Sequence, residues 1–400
     1  MSYKYNSGAK RGAGLAYSSA NHRRRPARQG GHKKYIDPAK FIKAASMAAV
    51  EDYTPQHRFT DFSLDARLQT NLTAKGYEVP SPIQDQIIPA ALGGKDVIGI
   101  ANTGTGKTAA FALPILQRLI SDRNAAAIVI APTRELAQQI EEEFKALGKG
   151  TGLVGTLLIG GTNMGGQLRD LKRRPTIVIG TPGRIKDHLQ RGSLKLGQFN
   201  LVVLDEVDRM LDMGFVQDVT EIMGNVNPVR QSMFFSATID PKVQTLISRN
   251  SNDPFTVSLK ASSASENVHQ NIVKYRGNID KLDKLHDLLL SDAVSKVLVF
   301  DETQRSVERL GNELAARGFS ADAIHGGKTQ GQRKRAMARF KSSDIKVLVA
   351  TDVAARGIDV ADITHVVNYS IPNAYDDYIH RIGRTGRAGR VGHALTFVSH

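Results

Sequence analysis

Short apolar runs recur along this chain, separated by longer stretches with helical spacing, and that alternation limits it to one architectural class. Val97-Ile98-Gly99-Ile100, Ile128-Val129-Ile130, Leu157-Leu158-Ile159, Ile177-Val178-Ile179, Leu201-Val202-Val203-Leu204 and Met233-Phe234-Phe235 contain no polar residue. Strands of that kind need cover on both faces, as in the middle of a parallel sheet. Between two of them Leu136, Ile140, Phe144 and Leu147 recur at helical spacing and stop at Gly148. The pattern predicts an α/β, doubly wound parallel-sheet fold.

The alternation lapses around Asn252-Asp253-Pro254 and Ser262-Ser263-Ala264-Ser265, then resumes with Val297-Leu298-Val299-Phe300, Ala323-Ile324, Val347-Leu348-Val349, Val366-Val367 and the run 395–398. Two tandem lobes follow, with boundaries expected at 58–257 and 269–400 around a linker at 258–268. The length of 400 residues suits two cores.

Ahead of them lies an extension, 1–57. Its first part holds Lys4, Lys10, Arg11, Arg23, Arg24, Arg25, Arg28, Lys33 and Lys34, with no acidic residue before Asp37. Rich in Gly, Ser and Asn, it buries too little apolar surface to offset its ordering entropy, so a disordered basic arm is expected. A purely solubilising tail is the alternative. Phe41-Ile42 and the stretch 44–50 predict a short helix.

Lys and Arg total 54 against 39 Asp and Glu, a formal charge of +15, which favours a polyanionic partner, nucleic acid before an anionic membrane. With no cysteine, neither disulfides nor thiolate metal sites are available. No stretch has the length of a membrane span or the apolar core of a secretory signal, so a cytoplasmic protein with no membrane partner is expected.

Chemistry concentrates after two of the apolar runs. Ala101-Asn102-Thr103-Gly104-Thr105-Gly106-Lys107-Thr108 follows the first strand and opens a helix. Small residues there let backbone N–H groups wrap phosphate oxygens, with Lys107 reaching the β and γ phosphates and the Thr108 hydroxyl able to ligate Mg²⁺. Asp205-Glu206-Val207-Asp208 ends the run 201–204. Alone it could be a solvated acidic turn; beside the loop, Asp205 suits a hydrated Mg²⁺ and Glu206 an attacking water. In the second lobe, His380-Arg381-Ile382-Gly383-Arg384-Thr385-Gly386-Arg387-Ala388-Gly389-Arg390 sets fixed positive charge among glycines. Arg384 and Arg387 are expected as arginine fingers on the transferring phosphoryl group, in preference to a plain nucleic-acid-binding turn.

In order and kind these motifs resemble those of the DEAD-box RNA helicases of helicase superfamily two, over about 59–400. Phe59, Gly76-Tyr77, Pro80 and Pro82-Ile83-Gln84 look like that family's adenine-reading motif, which implies that Gln84 bonds the adenine edge and Phe59 supports or stacks on the base. Pro132-Thr133-Arg134-Glu135-Leu136-Ala137, Gly160-Gly161 and Thr181-Pro182-Gly183-Arg184 resemble its RNA-backbone motifs, which grip without reading bases. Ser236-Ala237-Thr238 is similar to the motif that couples hydrolysis to strand separation through Asp208 and, across the cleft, His380. Phe300 with Thr303, and Gln330 with Arg333, resemble RNA-facing motifs of the second lobe. The stretch 351–359 looks like its hinge-side motif, implying RNA contact near Thr351 and ribose contact by Asp359. The resemblance implies two RecA-like lobes, ATP and Mg²⁺, a sequence-nonspecific RNA partner and a monomeric core. His325 and His380 are expected as contact residues, with no clustered ligand set for a metal.

Three positions depart from the family pattern. Gly327 follows His325-Gly326 and Ser370 follows Asn368-Tyr369 where the family usually has Asp, and Val207 replaces its alanine. Side chains alternate along a strand, so residue 207 is expected to point away from the face carrying Glu206, altering packing more than chemistry. Two rival classes are a DNA translocase of the same superfamily, not expected to carry the Phe59 and Gln84 motif, and a non-hydrolysing RNA clamp, against which Lys107, Glu206 and Arg387 argue. The chain ends just after the run 394–398, where the family usually continues with a covering helix, so a trimmed core is expected.

Overall fold

The computed structural model describes residues 36–45, 53–102, 104–259, 267–355, 360, 362–386 and 390–400. The first lobe holds strands β1 (Val97–Ile100), β2 (Ala127–Ile130), β3 (Gly155–Leu158), β4 (Ile177–Gly180), β5 (Leu201–Asp205), β6 (Gln231–Ser236) and β7 (Phe255–Ser258). Helices α1 (Ala66–Ala74), α2 (Pro82–Leu92), α3 (Lys107–Ser121), α4 (Arg134–Leu147), α5 (Met164–Lys172), α6 (Pro182–Gln190), α7 (Val207–Asp212), α8 (Val216–Asn225) and α9 (Pro241–Asn250) surround them. The second lobe has β8 (Val268–Tyr275), β9 (Val297–Phe300), β10 (Ala321–Ile324), β11 (Val347–Ala350), β12 (His365–Asn368) and β13 (Gly392–Ser399). Its helices are α10 (Gly277–Leu289), α11 (Gln304–Ala316), α12 (Gln330–Lys341), α13 (Asp352–Ala355) and α14 (Tyr375–Ile382).

All pairings within the two sheets are parallel, in the orders β3-β4-β2-β5-β6-β1-β7 and β10-β11-β9-β12-β13-β8. Alternate residues of each central strand feed opposite cores. Val129, Val203 and Phe235 pack with α3 and α4, while Ile128, Leu204 and Phe234 pack with α8 and α9. Burial on both faces explains the unbroken apolar runs.

Two strands lie outside those runs. Edge strand β7 buries only Val257, and β8 alternates polar His269 and Asn271 with the buried Val268 and Gln270. An edge needs only one apolar face, so neither makes a continuous hydrophobic run.

The start of the described chain departs from the expected helix. Pro38–Phe41 forms a single 3₁₀ turn, Ile42 is extended, and Lys43 makes an antiparallel bridge with Gln270 of β8. Phe41 is fully buried against Tyr378, at 4.7 Å between ring centroids, with Val268, Ile382 and Ala394 around it. Residues 36–45 of the expected extension are thus packed on the second lobe. The basic stretch 1–35 and residues 46–52 lie outside the described residues.

The tetrapeptide also differs from a continued strand. Strand β5 stops at Asp205, Glu206 takes a left-handed conformation (φ 53°), and Val207 opens α7. Val207 is fully buried in the core on the α8 and α9 side, so helix geometry, not strand alternation, turns it from the site.

Candidate functional site

Sheet order sorts the motifs along the carboxyl edge of the first lobe. Neighbouring strands β3, β4 and β2 lead into Gly160-Gly161, Thr181 to Arg184, and Pro132 to Arg134, whereas β5, β6 and β1 lead into Asp205-Glu206, Ser236 to Thr238, and the loop 101–108. Open parallel sheets bind ligands at this edge. The second lobe repeats the arrangement, with Thr303 after β9, His325 after β10 and Thr351 after β11 on adjacent strands.

A cavity of about 580 Å³ opens over the second group, lined by Gly104, Gly106, Lys107, Thr108, Asp205 and Glu206 of the first lobe and by Lys341 and Arg384 of the second. Gly106 caps α3 with φ 92°, and a Cβ there would lie 2.5 Å from Gln84 Nε2, so both conformation and space require glycine. Lys107 Nζ donates to the Ala101 carbonyl at 2.7 Å, and the Thr105 hydroxyl to the Asn102 carbonyl at 2.9 Å, which curls the loop around the helix N-terminus. Thr103 lies outside the described residues.

The carboxylates differ in surroundings. Asp205 is 2% exposed; burial pushes its pKa up to about 7, with Lys107 pulling against that rise. Glu206 Oε2 is buried without a hydrogen bond, 3.5 Å from Arg209 Nε. The left-handed backbone that aims Glu206 costs on the order of 1–3 kcal/mol, a local strain of the kind found at functional sites. Asp208 points elsewhere: its Oδ2 accepts from Ala237 N–H at 3.1 Å, Thr238 N–H at 2.9 Å and the Thr238 hydroxyl at 3.1 Å, while Ser236 Oγ accepts from Asp208 N–H at 3.3 Å.

The adenine-side residues are staggered in depth. Gln84 is buried, its Oε1 accepting from Ser81 N–H at 2.9 Å and its Nε2 donating to the Gly106 carbonyl at 3.1 Å. Tyr77 lines the cavity, and Phe59 lies edge-on behind it at 5.7 Å, so Phe59 supports the wall rather than forming it. Lys75, Gln139, Glu142 and Glu143 also line the cavity and were not singled out from sequence. The three on α4 recur at helical spacing.

On the other half of the edge, Thr133 caps α4 through Leu136 N–H at 3.2 Å. The Arg134 guanidinium lies so close over Gly161 that a Cβ would overlap it. Arg184 donates to the Thr162 carbonyl at 3.5 Å and approaches Asp187 at 3.4 Å. Thr181 and Thr351 are largely buried at strand ends, and Thr303 is exposed, capping α11 through Ser306 N–H at 3.0 Å.

Arg333, expected as an RNA-facing residue, also meets the first lobe. Its guanidinium is buried and lies 2.8 Å from Glu135 Oε1 of the first lobe, while Gln330 Nε2 donates to Gln138 Oε1 at 3.1 Å. The first turn of α12 therefore meets α4.

Arg384 is 3% exposed in the cavity wall, whereas Arg387 and Asp359 lie outside the described residues. Arg381 is committed to structure: Nε and Nη2 bond Asp352 at 2.6 and 2.7 Å, and Nη1 donates to the Ser370 carbonyl at 2.7 Å. Arg381 thus links Asp352 to the Ser370 carbonyl. At Gly327 a Cβ would lie 2.7 Å from Gln304 Oε1, the mobile end of a long side chain that can move aside. His380 shares a small cavity with Arg209, Asp377 and Arg384, and His325 lies 2.8 Å from Glu308. Among the described residues no cluster of three or more His, Asp or Glu forms a metal site, and no helix is long and apolar enough to cross a membrane.

Comparison with known proteins agrees with this geometry. The DEAD/DEAH box helicase model matches residues 81–246, and the helicase conserved C-terminal domain model matches 280–389. ATP-dependent RNA helicase CshA of Limosilactobacillus reuteri is 44% identical over 344 residues, covering 86% of this chain and 69% of that protein. DEAD-box ATP-dependent RNA helicase CshA of Bacillus subtilis (strain 168) is 43% identical over 343 residues, covering 85% and 69%. Dbp5 of S. cerevisiae bound to RNA and ADP-BeF3 matches with a TM-score of 0.75 at 30% identity, over 86% of this chain and 89% of that one. With both lobes matched by family models and by relatives along most of its length, the chain belongs to the DEAD-box family of ATP-dependent RNA helicases.

Proposed function

We infer that this chain hydrolyses ATP under the control of RNA and uses closure of its lobes to separate short RNA duplexes or remodel RNA–protein complexes. The observation that carries this reading is the shared cavity: Arg384 of the second lobe faces the same space as Lys107, Asp205 and Glu206 of the first. A site completed by two lobes is active only while they are together, so a ligand that favours closure acts as an activator.

In this account phosphates lie against the backbone N–H groups at the start of α3, and Lys107 leaves the Ala101 carbonyl to bond them. Glu206, whose Oε2 accepts no hydrogen bond and faces only the Arg209 guanidinium at 3.5 Å, orients and deprotonates the attacking water, and Arg384 neutralises charge on the transferring group, with Arg387 as a second cation. Gln84 has one amide hydrogen and a carbonyl lone pair left for the adenine edge, and Asp359 is assigned to the ribose.

Asp205 and Thr108 fit a hydrated Mg²⁺, since a buried carboxyl pushed towards its neutral form gains from a nearby dication, and an ion held mainly by water and phosphate needs no cluster of protein ligands. Magnesium, when bound, would neutralise the β and γ phosphate oxygens.

RNA is assigned to the loops after β3, β4 and β2 and their second-lobe counterparts: Pro132, Thr133, Arg134, Gly161, Thr181, Arg184, Thr303, Arg333 and Thr351. Backbone N–H groups, hydroxyls and guanidinium groups there suit phosphate and sugar contacts without a base code. Asp208, Ser236 and Thr238, with His380 across the cleft, would pass the state of the site to that surface. The protein is read as a cytoplasmic, single-chain enzyme.

ATPase assays with RNA, with DNA of equal sequence and with neither test the reading. Stimulation by RNA alone is expected; stimulation by DNA but not RNA, or no turnover under any condition, would overturn it.

A further inference from the structure

Asp85 follows Gln84 on α2 and is 2% exposed, yet the hydrolytic site does not use it. Its Oδ2 accepts from Gln56 N–H at 2.8 Å and from the Tyr53 hydroxyl; its Oδ1 accepts from His57 N–H at 3.0 Å and lies 2.8 Å from His57 Nδ1. All four partner groups belong to residues 53–57, directly ahead of Phe59. Burial alone would raise the Asp85 pKa, but the bonds from Tyr53, Gln56 and His57 outweigh it and hold the carboxyl below its ordinary range.

The residues on either side of this clamp stand behind the nucleotide cavity, whose wall on this side is Tyr77. Phe59 is edge-on to Phe62 at 5.9 Å and to Tyr77 at 5.7 Å, and Gln69 Nε2 fixes the Phe59 carbonyl at 2.8 Å. On α2 itself, Gln84 bonds the Gly106 carbonyl of the phosphate loop. Consecutive helical residues thus tie two parts of one pocket to a single helix: Gln84 holds the phosphate loop, Asp85 the segment that seats Phe59.

We propose that Asp85 is a positioning residue for adenine recognition, setting Phe59 and Tyr77 at a fixed distance from Gln84 by clamping residues 53–57 to α2. The proposal rests on the reading that the base lies between Tyr77 and Gln84. Charge-assisted bonds to a buried carboxylate are stronger than neutral ones, and an amide in its place offers one acceptor oxygen and sets its NH₂ group against donors. With the clamp loosened the base loses its wall, while Lys107, Glu206 and Arg384 stay in place. Binding of ATP is affected more than turnover.

The test is RNA-stimulated ATPase at saturating RNA for wild type, Asp85→Asn and Tyr53→Phe, with ATP and with GTP, alongside thermal unfolding and a Gln84→Ala control. Asp85→Asn is expected to raise KM for ATP roughly tenfold with kcat changed less than about threefold, and to narrow the ATP-over-GTP preference by a similar factor. Tyr53→Phe, which removes one donor and leaves the carboxylate, should raise KM about twofold to threefold; it carries the test if Asp85→Asn does not fold. A lower unfolding temperature with KM and nucleotide preference unchanged in both variants would overturn the proposal. If Gln84→Ala also leaves both unchanged, the base is not read here at all and the underlying assignment falls with it; a defect in Gln84→Ala alone leaves that assignment standing and rejects only the clamp.

Discussion

Arg333 of the second lobe lies 2.8 Å from Glu135 of the first, with both side chains less than a tenth exposed. Removing one partner of a buried pair leaves a charge without compensation, at a cost of about 3–5 kcal/mol. Arg333→Ala should therefore weaken lobe closure, lowering RNA-stimulated turnover at least tenfold. A pair of dyes, one on each lobe, should report less of the closed form with RNA and a non-hydrolysable ATP analogue. In a double-mutant cycle with Glu135→Ala the losses should be strongly non-additive; additive losses would mean that the pair does not act as a unit.

Asp208 takes three bonds from Ala237 and Thr238 on one oxygen. Asp208→Ala leaves those donors without their acceptor, a loss of about 2–3 kcal/mol to the first lobe by ordinary hydrogen-bond values. Urea unfolding should show the loss. Duplex separation should fall at least tenfold further than ATP turnover, and equal falls in the two would argue against a coupling role.

Phe41 is fully buried on the second lobe although it lies more than two hundred residues before β8. Phe41→Ala should cost about 3–5 kcal/mol, measured by urea unfolding of the full chain.

How much of this was legible from sequence depended on how local each cause is. The loop 101–108 and the ends of β5 and β6 are set by neighbouring residues, so their chemistry could be read directly. The pairing of Arg333 with Glu135 was not legible, because the two are nearly two hundred residues apart and only the contact between α12 and α4 reveals it. The left-handed turn at Glu206 was hidden because a non-glycine residue makes it, and with the turn hidden Val207 was put on a strand that ends two residues earlier. Phe41 lacked any local periodicity to show what it covers, and the polar alternation of β8 concealed an edge strand.

His365, His393 and His269 stand in register on β12, β13 and β8 and stack at 4.8 and 5.4 Å. Burial, then His393, pushes His365 down to about 4 from an ordinary 6.5. Because the folded value lies below the unfolded one, the associated stability is complete above about pH 6.5 and is lost as pH falls through the window down to about 4. A loss of roughly 3 kcal/mol is expected across that window. Urea unfolding at pH 7.5 and pH 4.5 should show it, and His365→Phe should flatten the dependence.

Arg384 lies on the second lobe in a cavity whose phosphate loop and carboxylates belong to the first. The most direct test of a site completed by closure is the ATPase rate of wild type and Arg384→Ala, each with and without single-stranded RNA. RNA should raise the wild-type rate strongly, and Arg384→Ala should lose the stimulated rate by about 10³-fold or more, the scale of an arginine finger, while its rate without RNA changes much less. An Arg384→Ala enzyme that RNA still stimulates to the wild-type rate would contradict the account.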